Sequence, residues 1–220
     1  MKAVQRNENW MNFIWALTRV LYYFLMLPCL IFLALSSLVG IFGNTMVYAD
    51  KGYYLFSFLL WSAILIPLGY RRISIIRRRL QLKKMVSMLS SPERFSPQKH
   101  HQVMDAGRGK YLGIDTKSGN ILYIHMVKKG VVDVIGLTMR DWTDRELEGG
   151  TLRLNTKNPE VPVLSINAHS IVAKELYSTL GAMSHNSYSE AFPKEPWPLH
   201  VNIQSQFVQF EHNVVVPQAV

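Results

Sequence analysis

Seven of the sixteen residues from 69 to 84, GYRRISIIRRRLQLKK, are lysine or arginine, and none is acidic. Guanidinium and ammonium groups bind anions, so the chemistry that this stretch offers is contact with phosphate, either on a nucleic acid or on a lipid headgroup. The seven residues, called the basic segment below, are Arg71, Arg72, Arg77, Arg78, Arg79, Lys83 and Lys84. The rest of the sequence decides between the two anions.

The charge distribution argues against a nucleic-acid-binding protein. The chain has 220 residues, a formal net charge of +9 and a pI of about 9.7. Residues 1–70 carry a net charge of +2, the basic segment adds +7, and residues 85–220 hold thirteen basic and thirteen acidic side chains. A nucleic-acid-binding domain carries a basic patch on its folded surface, whereas the soluble part of this chain is neutral. We therefore predict no nucleic-acid partner.

No group of side chains has the spacing of a catalytic or metal site. Cys29 is the only cysteine and lies in an apolar run, which leaves no Cys-based zinc site. His100 and His101 are adjacent, but the histidines form no H-E-x-x-H pattern. Gly107 and Gly109 precede a predicted strand and lack the following helix that a phosphate-binding loop requires. We predict no enzymatic activity, no metal and no cofactor.

Trp142 is a candidate for a partner contact outside the basic segment. It lies in RDWTDRELEGG, residues 140–150, whose alternating charges of both signs indicate a solvated segment between strands. Tryptophan is enriched at binding hot spots, while burial of the ring against a sheet is the more common alternative.

Two apolar runs predict a transmembrane hairpin over residues 1–70. Residues 20–42 are twenty-three consecutive uncharged residues, and residues 53–70 are eighteen, near the lower limit for a span. Pro28 predicts a kink in the first span. The ten-residue link is rich in turn formers, so the two spans must run antiparallel. A secretory signal is the alternative for the first run, but its apolar core would have only about 7–15 residues.

The basic residues also predict the orientation of the hairpin. Three lysines or arginines precede the first span, one lies in the link and seven follow the second span. Because cytoplasmic flanks carry the excess of Lys and Arg, we predict a multi-pass protein with both termini in the cytoplasm. The basic segment then fixes this orientation and also attracts anionic lipid.

Residues 71–91 predict a basic juxtamembrane helix that continues the second span. Four apolar residues recur at helical spacing and form one stripe, which either packs a stalk or lies on the membrane. They are Ile75, Leu82, Met85 and Leu89. The helix is expected to end before Pro92.

Residues 92–220 predict one soluble α+β domain. KYLGIDTKSGNILYIHMV, residues 110–127, alternates apolar and polar positions on both sides of a turn, which predicts a β-hairpin. Further strands are expected at residues 131–137, 152–154 and 161–166, then a helix over 167–183 and a late strand within 200–216. The expected fold is a curved antiparallel sheet of five or six strands with a C-terminal helix, similar in order to pleckstrin-homology-like barrels.

Three segments carry a resemblance to a known family: KYLGIDTKSGNILYIHMVKKGVVDVIGLTMRDW, LRLNTKNPEVPVLSI and EPWPLHV. Together with the paired N-terminal spans, they make the chain similar to the entry-exclusion, or surface-exclusion, proteins of I-complex conjugative plasmids. The resemblance covers nearly the whole chain.

This resemblance implies a plasmid-encoded protein in the bacterial inner membrane of a recipient cell. Such proteins block transfer of a second copy of the plasmid by recognising a membrane protein of the donor's transfer apparatus, a TraY-like component, and they need no catalysis. The recognition surface is left open between the C-terminal domain and the loop of residues 44–52, as is the oligomeric state. The residues alone leave one alternative, a membrane-tethered lipid-binding or signalling adaptor without catalytic activity.

Overall fold

The computed structural model describes residues 10–42, 51–186, 188 and 195–217. It forms two compact units, Met1–Ser74 and Ile75–Val220. The helices are α1 (Trp10–Leu21), a π-helical turn (Tyr22–Met26), α2 (Leu27–Phe42), α3 (Lys51–Leu89), a 3-10 turn (Lys99–His101), α4 (Ser170–Ser184) and α5 (Trp197–His212). The strands are β1 (Gln102–Asp105), β2 (Lys110–Asp115), β3 (Asn120–Lys128), β4 (Val131–Leu137), β5 (Trp142–Glu148), β6 (Thr151–Thr156) and β7 (Val163–Asn167).

Two helical stretches are long and apolar enough to cross a membrane. They are Leu17–Ile41, near the N-terminus, and α3. The first overlaps the predicted span 20–42, and the predicted span 53–70 lies within α3, which continues for nineteen more residues. Few side chains in the apolar parts of these stretches are buried. The predicted link between the spans and the N-terminal flank with Lys2 and Arg6 lie largely outside the described residues.

The backbone is distorted one turn before Pro28, where the sequence predicts a kink. A proline ring clashes with the carbonyl group four residues earlier, which here belongs to Phe24. Phe24 lies in the π-helical turn Tyr22–Met26, whose wider backbone separates that carbonyl from the ring. Pro67, in contrast, lies inside α3 without ending the helix.

Hydrogen bonds join the two apolar stretches within the N-terminal unit. Ser37 Oγ lies 3.1 Å from Ser57 Oγ, and the Tyr53 hydroxyl donates to Ser37 O at 3.0 Å. The Tyr22 hydroxyl donates to Ala63 O at 2.8 Å. Each bond gives a partner to a polar group on an apolar surface, where hydrocarbon would offer none.

The C-terminal unit contains two antiparallel sheets, in the orders β1-β2-β3-β4 and β5-β6-β7. This confirms an α+β fold with a C-terminal helix, although seven strands in two sheets replace the expected single sheet of five or six. The predicted hairpin is β2 and β3, paired at Ile114 and Ile121, with Gly119 at a φ of +74° in the turn. The predicted strands at residues 131–137, 152–154 and 161–166 correspond to β4, β6 and β7.

Residues 140–150 are largely solvent-accessible, as predicted, but they do not lie between strands, because the chain forms β5 there. This strand lies at the edge of its sheet and pairs with β6 alone, so its outward side chains can stay charged. The charges of both signs are matched across the strands. Arg153 Nη2 lies 2.9 Å from Glu148 Oε2, and Arg153 Nη1 lies 3.9 Å from Glu146 Oε2.

The predicted late strand within residues 200–216 is wrong, because most of this segment belongs to α5. Its buried residues Trp197, Val201, Ser205 and Val208 are spaced by four, four and three residues, as one face of a helix requires. Pro198 lies in the first turn, where a missing N–H costs no hydrogen bond. The predicted helix at 167–183 is confirmed as α4, which begins at Ser170 after its N-cap residue His169.

The four-stranded sheet is buried on both faces. One face packs on the three-stranded sheet and α4, in a core that includes Leu112, Ile114, Ile135, Leu137, Leu152, Leu154, Ile166, Leu176 and Leu180. The other face packs on the end of α3 and on α5, in a second core that includes Leu82, Met85, Leu89, Tyr111, Leu122, Ile124, Val132, Val134, Trp197, Val201 and Val208. The predicted stripe of α3 is thus a packing surface of the domain. As predicted, the helix ends before Pro92.

The start of α5 is fixed by contacts of Trp197. Its Nε1 donates to Ile121 O at 2.9 Å, and its ring stacks on Phe95 with the centroids 5.2 Å apart. Just before the helix, Glu195 Oε2 accepts from Arg94 Nη1 at 3.2 Å and lies 3.0 Å from Nδ1 of His200 in the first turn. These contacts determine which face of α5 points towards the sheet.

Replacing Gly136 of β4 by alanine should loosen the packing of α5. A Cβ atom at this position would lie 2.6 Å from Val201 Cγ2 and 3.1 Å from Trp197 Nε1. We expect Gly136→Ala to destabilise the chain by about 1–3 kcal/mol, as overpacking does. The measurement is thermal unfolding of the full chain in detergent, followed by circular dichroism.

Val201→Ala provides the control for this prediction. It removes the Cγ2 methyl group, the atom closest to the new Cβ atom, so the double variant should be more stable than the sum of the two single effects predicts. Strictly additive effects would contradict the assigned contact between β4 and α5.

Candidate functional site

All seven residues of the basic segment lie on α3 and are exposed. Arg71 and Arg72 belong to the N-terminal unit, where the Arg71 guanidinium lies 5.0 Å from the centroid of the Tyr23 ring. The other five belong to the C-terminal unit. Within the described residues, no acidic side chain forms an ion pair with any of the seven. Their charge is therefore directed to solvent or to an anionic partner.

The five basic residues of the C-terminal unit lie on the part of α3 that packs against the four-stranded sheet. Leu82, Met85 and Leu89 are at most 3% exposed and fix one side of α3 against the sheet. The basic side chains occupy the remaining sides of the helix, as a 3.6-residue period requires. Arg78 Nη1 also donates to Gly107 O at 3.0 Å, which ties the helix to the turn after β1.

A groove of about 660 Å³ lies within the C-terminal unit beside this turn. Three parts of the chain form it: α3 through Ile75, the edge strand β1 with the following turn, and the start of α4. Its lining includes Val103, Met104, Asp105, Asn167, His169 and Val172. Its walls are largely apolar, with a few polar groups at the rim.

The edge position of β1 adds hydrogen-bonding capacity to the groove. β1 is at the end of its sheet, with β2 as its ladder partner. The opposite edge, at β4, is partly covered, because Val132 N donates to Val215 O at 3.0 Å and Val215 N donates to Gly130 O at 2.8 Å. An edge strand that borders a groove can accept an additional strand from another polypeptide.

His100, His101 and Glu175 form the group of potential metal ligands found among the described residues. One ligand atom from each lies within 4.8 Å of the others. Burial, followed by the neighbouring His100, lowers the pKa of His101, while Glu175 acts in the opposite direction. Neutral imidazole is the form that binds metals, but His100 and Glu175 are exposed, so this is an open surface group and not a closed structural site.

Trp142 is buried, with an exposed fraction of 9%, and packs in the core between the sheets. These surroundings fit burial of the ring against a sheet, the alternative to a partner contact. Little of the ring faces outward, and its role as a partner contact stays a prediction.

The outer face of α5 is a surface that the sequence analysis missed. Leu199, Ile203, Phe207 and Phe210 are between 42% and 90% exposed. The helical spacing of these apolar residues is visible in the sequence, but a strand was predicted for this segment instead of a helix.

A family model described as Exclusion-determining protein matches residues 1–219. The chain belongs to this family. No curated protein and no solved structure gives a significant match. Membership confirms the resemblance found in the sequence and gives the chain a role in exclusion. In this exclusion-determining protein, the basic segment, the β1 groove and the outer face of α5 are therefore three candidate surfaces for binding.

Proposed function

We propose that this exclusion-determining protein resides in the inner membrane of a recipient cell and blocks redundant transfer of the same conjugative plasmid. The proposed target is a membrane protein of the donor's transfer apparatus, a TraY-like component. The observation that carries the proposal is the family match over residues 1–219. Two helices long and apolar enough to span a membrane support the location.

The proposed topology is a two-span hairpin with both termini in the cytoplasm. Its support is the continuity of α3, because the seven basic residues follow residue 70 in the same helix as the second apolar run. A Lys- and Arg-rich flank of this kind is retained on the cytoplasmic side.

Reporter fusions test this topology. We expect green fluorescent protein fused after Val220 to fluoresce, and alkaline phosphatase inserted within residues 43–52 to be active, since the enzyme folds only in an oxidising compartment. Phosphatase activity at Val220 together with an inactive insertion in the link would contradict the hairpin.

Recognition, not catalysis, is the proposed mechanism, and the β1 groove is the proposed recognition surface. A strand of the partner would pair with the free edge of β1, and its side chains would enter the apolar groove. Main-chain hydrogen bonds would then give affinity, and the groove residues would give specificity for one plasmid type.

A mating assay tests both the function and the surface. A recipient that expresses only this chain should receive the cognate plasmid less often than an empty recipient. His169→Asp, at the exposed groove rim, should restore transfer by placing a carboxylate in the binding path. Aspartate is favoured at the N-cap that His169 occupies, so the fold should remain intact.

Ser178→Asp is the matched control, because it makes the same charge change at an exposed position of α4 outside the groove. It should exclude as well as the unchanged chain. Equal transfer into expressing and empty recipients would overturn the exclusion proposal. Full exclusion by His169→Asp would overturn only the groove assignment.

A membrane-tethered lipid-binding adaptor is the second candidate, and the exposed basic segment favours it. The order of a four-stranded sheet, a three-stranded sheet and a helix is also compatible with the pleckstrin-homology-like arrangement that the sequence suggests. Such a domain would bind anionic headgroups through the arginines of α3, at about 1 kcal/mol per charge.

Neutralising Arg77, Arg79 and Lys83 to glutamine separates the two candidates, and Arg78 is left in place because it holds the turn that lines the groove. Under the exclusion proposal we expect the triple variant to keep most of its exclusion in the mating assay, because the other four basic residues still fix the topology. Complete loss of function with unchanged reporter activity at Val220 would favour the lipid-binding adaptor.

A further inference from the structure

Helix α5 has an apolar stripe on its outer side in addition to the buried one. Leu199, Ile203, Phe207 and Phe210 are 50%, 42%, 60% and 90% exposed. They are spaced by four, four and three residues, so they form a continuous line along the helix. A helix on the surface of a soluble domain normally carries one apolar stripe, and a second one indicates a binding surface.

The composition of this face indicates what binds there. From residue 199 to residue 210 the helix contains no Lys, Arg, Asp or Glu. A helix that lies on a membrane surface is rich in Lys and Arg on its polar face, and α5 has none. In a symmetric dimer, by contrast, each side chain of the patch meets the same patch of its partner, so the absence of charge avoids repulsion between like groups.

The order of side chains along the stripe also fits a symmetric antiparallel pair. With a two-fold axis on the outer face of the helix, level with residue 205, Leu199 lies opposite Phe210 of the second copy, and Ile203 lies opposite Phe207. Each contact then joins one aliphatic and one aromatic side chain, which fills space evenly along the helices. A parallel pair would stack aromatic on aromatic at one end only and would splay the helices.

We propose that α5 binds α5 of a second copy of this chain, antiparallel and around a two-fold axis that crosses the outer face of the helix level with residue 205. The four side chains bury roughly 1,000 Å² in the pair, given the size of aromatic residues and their exposure, which is typical of a weak interface. Exposed Gln206 lies beside the apolar stripe and close to the axis, so its two copies come together there.

Disulfide formation in membranes of cells that express the full chain tests this pairing. Cys29 is first replaced by alanine, which removes the only native thiol. Gln206→Cys should then give a covalent dimer on mild oxidation, because its copies meet at the axis. Adding Phe207→Glu should abolish this dimer without unfolding the chain, since Phe207 is 60% exposed.

The orientation has its own test with two differently tagged chains. Leu199→Cys in one and Phe210→Cys in the other should cross-link when they are expressed together. Leu199→Cys alone should not, because the two copies of residue 199 would be about 17 Å apart along an antiparallel pair, beyond the reach of a disulfide. Lys174→Cys, exposed on α4, should form no dimer and is the control for random collision.

Two results would overturn the proposal. One is a dimer yield at residue 174 equal to that at residue 206. The other is a residue 206 thiol that forms no dimer; resistance of this thiol to a water-soluble maleimide would then show that lipid or a different protein covers α5, and reaction with it would show that α5 is uncovered. Cross-linking at 206 that Phe207→Glu abolishes, with none at 174, supports the proposal whether or not the chain excludes plasmids.

Discussion

The C-terminal unit depends on one constraint, the burial of both faces of its four-stranded sheet. All seven residues of β4 are buried, including the side chain of Asp133. Such a sheet needs a cover on each side. The three-stranded sheet and α4 provide one, and two segments more than 100 residues apart in sequence, the end of α3 and α5, provide the other. The basic residues beyond Ser74 are therefore held on the surface of a folded unit and are not carried on a free stalk.

The sequence predicts those elements whose two sides differ. The β2–β3 hairpin shows period-two alternation around a turn, and α4 shows an apolar face beside a polar one, so both were predicted correctly. Helix α5 was missed because both of its sides are apolar, which weakens the contrast that identifies a helical period. The edge strand β5 was missed for the opposite reason, since its outward charges conceal the alternation.

The candidate surfaces also differ in how far the sequence predicts them. The basic segment was visible because its seven residues are contiguous. The β1 groove was not, because Ile75, Met104 and His169 come from three separate parts of the sequence and meet only through the packing of α3 and α4. Only the tertiary structure brings such residues together, so patterns along the sequence do not indicate the groove.

The arrangement of the surfaces permits both proposed contacts at once. β1 and β4 are opposite edges of one sheet, about 14 Å apart at the usual strand spacing. The groove lies at β1, whereas α5 packs on β4. A dimer through α5 would thus leave two grooves free. Once one groove has bound a membrane-bound or oligomeric partner, the second groove would bind at a high effective concentration of that partner. Weak recognition at each groove would then be sufficient for strong exclusion.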